Sequence, residues 1–283
     1  MAAYQTAPAT APKRAGGRNL WVASAVGIGM AAIALSSVYF SPLLFTILVY
    51  ALCIAAIPEW SRALARQGRV IPLTPIIAGI VGMGVATWFL EREGLVIALL
   101  VACAGGLVWR LVDDWVDNTL HDSVAMVLTL VWIPFMASFL VLLELADDGW
   151  IRVFILIAAV AGNDTGALYV GMLIGRHKLA PQISPKKTWE GAVGGVIVGV
   201  TIASLFSYWL LEGDWKTGAI VGAVCTIAAI FGDLAESALK RDIDIKDMGS
   251  AIPGHGGVLD RLDSMLLAAP AAYVVFGILM GTQ

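Results

Sequence analysis

Nine apolar runs, each set off by a polar or helix-breaking stretch, leave this chain few ways to fold. They cover residues 20–40, 42–57, 74–90, 94–112, 123–145, 150–172, 191–211, 217–233 and 258–280. A helix needs about 20 apolar residues to cross a bilayer, and most of these runs come near that length. Backbone groups in lipid must pair within their own segment, so an open chain crosses as α-helix. The second and third runs are short, which leaves room for a merged or partly re-entrant arrangement. Composition points the same way: 59% of the 283 residues are hydrophobic and 14% charged, against about 45–50% and 25% in soluble domains. The expected fold class is all-α, a polytopic integral membrane protein with about nine transmembrane helices. Residues 1–18, rich in Ala, Pro and Thr, read as a disordered cytoplasmic tail. Residues 19–283 read as one membrane-embedded domain. The first run is too long for a signal-peptide core and is expected to stay as a helix. Cys53, Cys103 and Cys225 sit singly in apolar runs and read as small buried hydrophobes.

Lys and Arg give the orientation. With a cytoplasmic N-terminus, the inside segments hold Lys13, Arg14, Arg18, Arg62, Arg66, Arg69, Arg110, Arg176, Lys178, Lys186, Lys187, Lys240, Arg241, Lys246 and Arg261. The outside segments hold Arg92, Arg152 and Lys216, so 15 of the 18 cations lie inside. That bias fits the positive-inside rule and turns every polar cluster of interest toward the cytoplasm. Gly191, Gly195 and Gly199 repeat at helical spacing, as do Gly162 with Gly166 and Gly171 with Gly175. This pattern lets helix backbones approach closely.

Four clusters carry chemistry. Asp233, Ser237 and Lys240 fall on one helical face, next to Arg241. Pro253 to Ser264 reads PGHGGVLDRLDS. Its glycines allow N–H groups to turn toward an anion, and Asp260, Asp263 and Ser264 share a face at the start of the last run. Gly162-Asn163-Asp164-Thr165-Gly166 places an ionisable residue within the sixth run, which is a functional signal by default. Ser184-Pro-Lys186-Lys187-Thr188 leads into the seventh run like a phosphate-binding helix start, with Thr188 as a candidate cap. Taken one at a time, each cluster also reads as something plainer: solvated ion pairs, helix caps, a polar packing contact or a positive-inside anchor. Carboxylates for a hard cation beside cations for phosphate point to phosphate chemistry at a membrane face. Asp113, Asp114, Asp117 and Asp122 read as a solvated acidic loop. Arg62, Arg66 and Arg69 read as a stretch able to meet anionic headgroups. His121 and His177 lack a partner at metal-ligand spacing, so no zinc site is expected.

From about residue 160 onward, the chain resembles the phosphatidate cytidylyltransferase (CDP-diacylglycerol synthase) family. Ser237, Lys240, Arg241, Lys246, Asp247, Gly249, Ile252, Pro253, His255, Gly256, Gly257, Asp260, Arg261 and Asp263 fit that family's signature without departure. Residues 163–191 look like its second recognisable block. The resemblance implies condensation of CTP with phosphatidic acid to CDP-diacylglycerol and pyrophosphate. It also implies magnesium on Asp233 and Asp260, with room for a second divalent or monovalent cation. A homodimer in a lipid bilayer, with no nucleic-acid partner, is implied too. The expected location is the bacterial inner membrane, with the active site facing the cytoplasm. By residue type, Asp233 and Asp260 suit magnesium, which takes a few carboxylates with water and substrate phosphates. The catalytic set expected is Asp233, Lys240, Arg241, Lys246, Asp247, His255, Asp260, Arg261 and Asp263. The substrate-binding set is Asn163, Asp164, Ser184, Lys186, Lys187, Thr188, Ser237, Gly256, Gly257 and Ser264.

Three other activities stay in view. A CTP-dependent lipid or polyprenol kinase would release CDP in place of pyrophosphate. A CDP-alcohol phosphotransferase would need a D-G-x2-A-R pattern, which is absent. An ion-coupled transporter using Asp164 and Asp233 would leave the Gly-Gly loop unexplained.

Overall fold

Hydropathy dictates the helices, and polar residues and prolines set their ends. The structure is a computed structural model that describes residues 20–112, 118–212, 214–252 and 256–281. The tail at 1–18, Asp113, Asp114, Asp117, Pro253 and His255 lie outside the described residues. In chain order the elements are α1 (Leu20–Phe40), α2 (Pro42–Ala65), α3 (Leu73–Val112), α4 (Thr119–Leu130), a π turn (Val131–Phe135) and α5 (Met136–Glu144). They continue as α6 (Gly149–Ile174), β1 (Lys178–Ala180), β2 (Ser184–Thr188), α7 (Trp189–Leu210), α8 (Trp215–Asp242) and α9 (Leu259–Met280). Ser41 caps α2 by accepting from Leu44 N–H, with Pro42 in the first turn. Asp214 caps α8 by accepting from Thr217 N–H at 3.1 Å. Pro134 brings on the π turn, because its ring carries no N–H for the helical ladder.

Among the described residues, seven helical stretches are long and apolar enough to cross a membrane, with α3 counted as one and α4–α5 as another. Within α3, Glu91 leaves helical geometry at φ 49°, ψ −130°. The two arms fold back on each other there, so that Gly79 lies against Ala102. The all-α class holds, with one addition: β1 and β2 form a short antiparallel hairpin at the mouth of α7. The short second run is also corrected, because α2 continues through Pro58 to Ala65.

Helices α6 to α9 pack on one another and meet the α2–α5 group mainly through α5 and α9. The glycine spacing works as expected. Gly191, Gly195 and Gly199 are buried on α7. A Cβ at Gly195 would lie 2.6 Å from Asn163 O on α6, and one at Gly199 would lie 2.7 Å from Ala159 O. Buried polar links tie the other group together: Trp60 Nε1 donates to Thr129 at 2.8 Å, and Tyr50 Oη lies 2.7 Å from Ser138 Oγ. Cys53 and Cys225 are fully buried in the core, as small hydrophobes.

Asp122 is not solvated, contrary to the sequence expectation. It is buried, forms an ion pair with Arg110, and accepts from Val70 N–H at 3.1 Å. The pairing answers the desolvation that an isolated carboxylate would suffer there. It ties the end of α3, the start of α4 and the 66–70 loop together. Gln67 in turn donates to Asp242 at the end of α8. These contacts collect the segments flanking the polar clusters at one end of the bundle.

Candidate active site

Thr188 begins the site, because it ends the hairpin and starts a helix. Its Oγ1 accepts from Gly191 N–H at 3.1 Å, which is the cap expected from sequence. The hairpin is fixed from α7: Glu190 accepts from Arg176 N–H and His177 N–H and lies 2.6 Å from His177 Nδ1. Between hairpin, α6, α7 and α8 opens a cavity of about 540 Å³, within the range of small-molecule sites. Asn163, Asp164, Lys186, Lys187, Thr188 and Asp233 give it a polar wall, while Leu168, Met172 and Ile230 give it an apolar one.

Asp233 faces this cavity from α8, with its side chain 31% exposed and paired to Lys187. Ser237, one turn on, donates to Asp233 Oδ1 at 3.2 Å. Asn163 donates to the Asp164 carboxylate at 3.3 Å. Asp164, Asp233 and Asp263 are close enough to interact electrostatically, and Arg261 acts on Asp164 in the same way. Asp263 accepts from Ser264 N–H at 2.6 Å. Gly232 lets α8 and α9 cross closely at this level, since its Cβ would meet Asp263 O.

Asp260 sits differently. Its side chain is 4% exposed and gathers the loop between α8 and α9 around itself. Lys240 Nζ approaches Oδ1 at 2.8 Å, Met248 N–H donates at 3.0 Å, and Gly257 N–H donates at 2.7 Å. Gly256 takes a positive φ of 83°, and its Cβ would fall 2.8 Å from Asp260 Oδ2, so glycine suits the turn on both counts. The Gly256-Gly257 turn thus presents its amide to an anion that belongs to the protein. Lys240 also pairs with Glu236 at 3.1 Å. Glu236 has no exposed side-chain surface, and the helical face named from the sequence leaves it out. Its signal was the spacing: Glu236 and Lys240 are four residues apart.

The remaining expected residues spread around this centre. Arg241 donates to Ile183 O at 3.0 Å and to Ile245 O at 3.3 Å, which joins the hairpin to the loop. Lys246, Asp247 and Arg261 are exposed. Ser184 pairs with Ala180 in the hairpin, beyond the cavity lining. Ser264 is buried at the start of α9.

Among the described residues, no three His, Cys, Asp or Glu side chains converge to hold a metal ion by themselves. Magnesium asks for less, because it is commonly held by one or two carboxylates with substrate phosphates. Asp233 fits that use, with oxygens open to the cavity. Asp260 is engaged on both oxygens, by Lys240 and Met248 N–H on Oδ1 and by Met248 N–H and Gly257 N–H on Oδ2, so a magnesium ion there would take the place of one of these donors.

The pattern that defines the Cytidylyltransferase family matches residues 21–279. The chain is 36% identical over 281 residues to the phosphatidate cytidylyltransferase of Mycobacterium leprae, covering 93% of this chain and 89% of that protein. It is 34% identical over 271 residues to that of Haemophilus influenzae, covering 85% and 92%. With the Bacillus subtilis enzyme of the same name it shares 30% identity over 264 residues, covering 89% and 96%. A match that runs through the cavity helices, the hairpin and the Asp260 loop alike means that this chain belongs to the Cytidylyltransferase family.

Proposed function

We propose that this protein condenses CTP with phosphatidate, forming CDP-diacylglycerol and pyrophosphate. The observation that carries the proposal is the cavity with one charged wall and one apolar wall, bordered by the Lys187–Asp233 pair. A phospholipid headgroup and a nucleotide triphosphate need the charged wall, and acyl chains need the apolar one. An oxygen of the phosphatidate phosphate attacks the α-phosphorus of CTP. The bond from that phosphorus to its bridging oxygen breaks, and the electron pair leaves with pyrophosphate. The nucleophile is already ionised, so no strong general base is required. The work left to the protein is to hold two polyanions together and to offset developing charge.

Lys186 and Lys187 lie on the cavity and meet phosphate oxygens there. Asp233 and Asp260 would hold magnesium, which supplies charge neutralisation at the phosphates. A magnesium nucleotide brings one cation and one polyanion, matched to the two halves of the Lys187–Asp233 pair. Ser237 holds Asp233, and Arg241 holds the hairpin against the loop.

The reading includes nine crossings with a cytoplasmic N-terminus, in the bacterial inner membrane. Three facts support it: α1, the reversal of α3 at Glu91, and the 15 inside cations among 18. A homodimer, implied by the family resemblance, belongs to it as well and is tested by mass measurement in nanodiscs. The function itself is tested with purified protein, CTP, magnesium and phosphatidate in mixed micelles. CDP-diacylglycerol is expected on lipid chromatography, with pyrophosphate in equal amount. Release of CDP with a newly phosphorylated lipid would instead identify a kinase.

A further inference from the structure

Helix α9 has no cap of its own. Val258 stands at the cap position and has no side-chain acceptor. The first N–H groups of a helix lack intrahelical partners, and a carboxylate there also meets the positive end of the helix dipole. The acceptor comes from α2 instead. Glu59 Oε2 accepts from Leu259 N–H at 3.2 Å, across 200 residues of chain. Glu59 is 2% exposed, so this contact is made inside the protein.

The same carboxylate fixes the loop that precedes α9. A Cβ on Gly249 or on Gly257 would run into the Glu59 carboxylate, so both positions exclude a side chain. Their neighbours and amides turn to Asp260: Met248 N–H and Gly257 N–H donate to it. Glu59 thus touches residues 249, 257 and 259, while Asp260 binds residues 248 and 257. The backbone at 248–249 and 257–259 is held between these two carboxylates. Among the described residues, Glu59 Oε1 has no hydrogen-bond partner. A side chain needed only to fill this space would be apolar.

We propose that Glu59 is a positioning residue for the reaction: it caps α9 from a distance and fixes the backbone at 248–249 and 257–259, which sets the orientation of Asp260. The inference rests on the reading of Asp260 as part of the active site. Its test compares Glu59→Ala and Glu59→Gln with wild type, as full-length protein in detergent. In Glu59→Ala, kcat is expected to fall about 10- to 100-fold, the range for losing a residue that orients a ligand, with little change in KM for CTP. Glu59→Gln keeps an oxygen for Leu259 N–H and should fall between the two. Hydrogen–deuterium exchange without CTP or metal supplies the second readout. Peptides over 246–252 and 256–260 should exchange faster in Glu59→Ala, and those of α6 and α7 should not. Wild-type kcat, or unchanged exchange in those peptides, would overturn the proposal. So would faster exchange spread over every helix, which is what a merely structural role produces. If Glu59→Ala does not fold, Glu59→Gln is judged by the same two readouts. If wild type forms no CDP-lipid, the functional reading fails, while exchange still decides whether Glu59 holds the loop.

Discussion

Lys240 and Arg241 are neighbours that look interchangeable in the sequence, yet their replacement should have different consequences. Lys240 lies 3.1 Å from Glu236 and 2.8 Å from Asp260, and both carboxylates are almost wholly buried. Among the described residues, no hydrogen bond from another group reaches either oxygen of Glu236. In Lys240→Met, two buried carboxylates lose their shared cation. Breaking a buried pair by removing one partner costs about 3–5 kcal/mol. Arg241 is exposed and donates to two carbonyls, Ile183 O and Ile245 O. Water can replace those bonds, so Arg241→Gln should cost about 1 kcal/mol. The assay is thermal unfolding in detergent at one fixed scan rate, since heating is expected to be irreversible. Lys240→Met should unfold well below Arg241→Gln, and the double variant Lys240→Met with Glu236→Gln should recover part of the loss. A wild-type midpoint for Lys240→Met, or equal losses in the two single variants, would refute this assignment of Lys240.

Asp233→Asn should leave a folded protein and lower turnover by on the order of a hundredfold or more, about 2.7 kcal/mol in the barrier; near-normal rates at saturating magnesium would remove Asp233 from the metal site. Gly199→Val should prevent α6 and α7 from closing, because Ala159 O and Thr226 occupy the space; the expected result is loss of monodisperse protein in size-exclusion chromatography. With the three native cysteines replaced, a single cysteine at position 186 should resist an impermeant thiol reagent applied to intact cells and react after lysis; labelling from outside would reverse the topology.

The sequence made the helices legible, along with the glycine contacts of α6 and α7, because both depend on local period. Thr188 was legible as a cap because the pattern needs only four consecutive residues. Asp233 and Lys187 were recognised separately, but their pairing was not, since it joins α8 to a hairpin that has only eight residues in strands. Pro185 within β2 hid that hairpin. Asp122 looked like one more acid in an acidic loop, because its partner Arg110 belongs to another helix. Glu59 was the hardest to read: the apolar run ends at Ile57, and Pro58 looks like a stop. Once α2 is seen to continue through that proline, Glu59 falls beside buried Ala56 and Ala63 on the core face. Its partner lies 200 residues away, and no local period reports a contact of that kind.

The most direct measurement follows the label from two preparations of CTP through one reaction. With phosphatidate, magnesium and purified protein, radiolabel at the α-phosphate of CTP should appear in the lipid fraction, and label at the γ-phosphate should appear in pyrophosphate. Label from the γ-phosphate in the lipid, with α-label left in CDP, would mean phosphoryl transfer and would contradict cytidylyl transfer at this site.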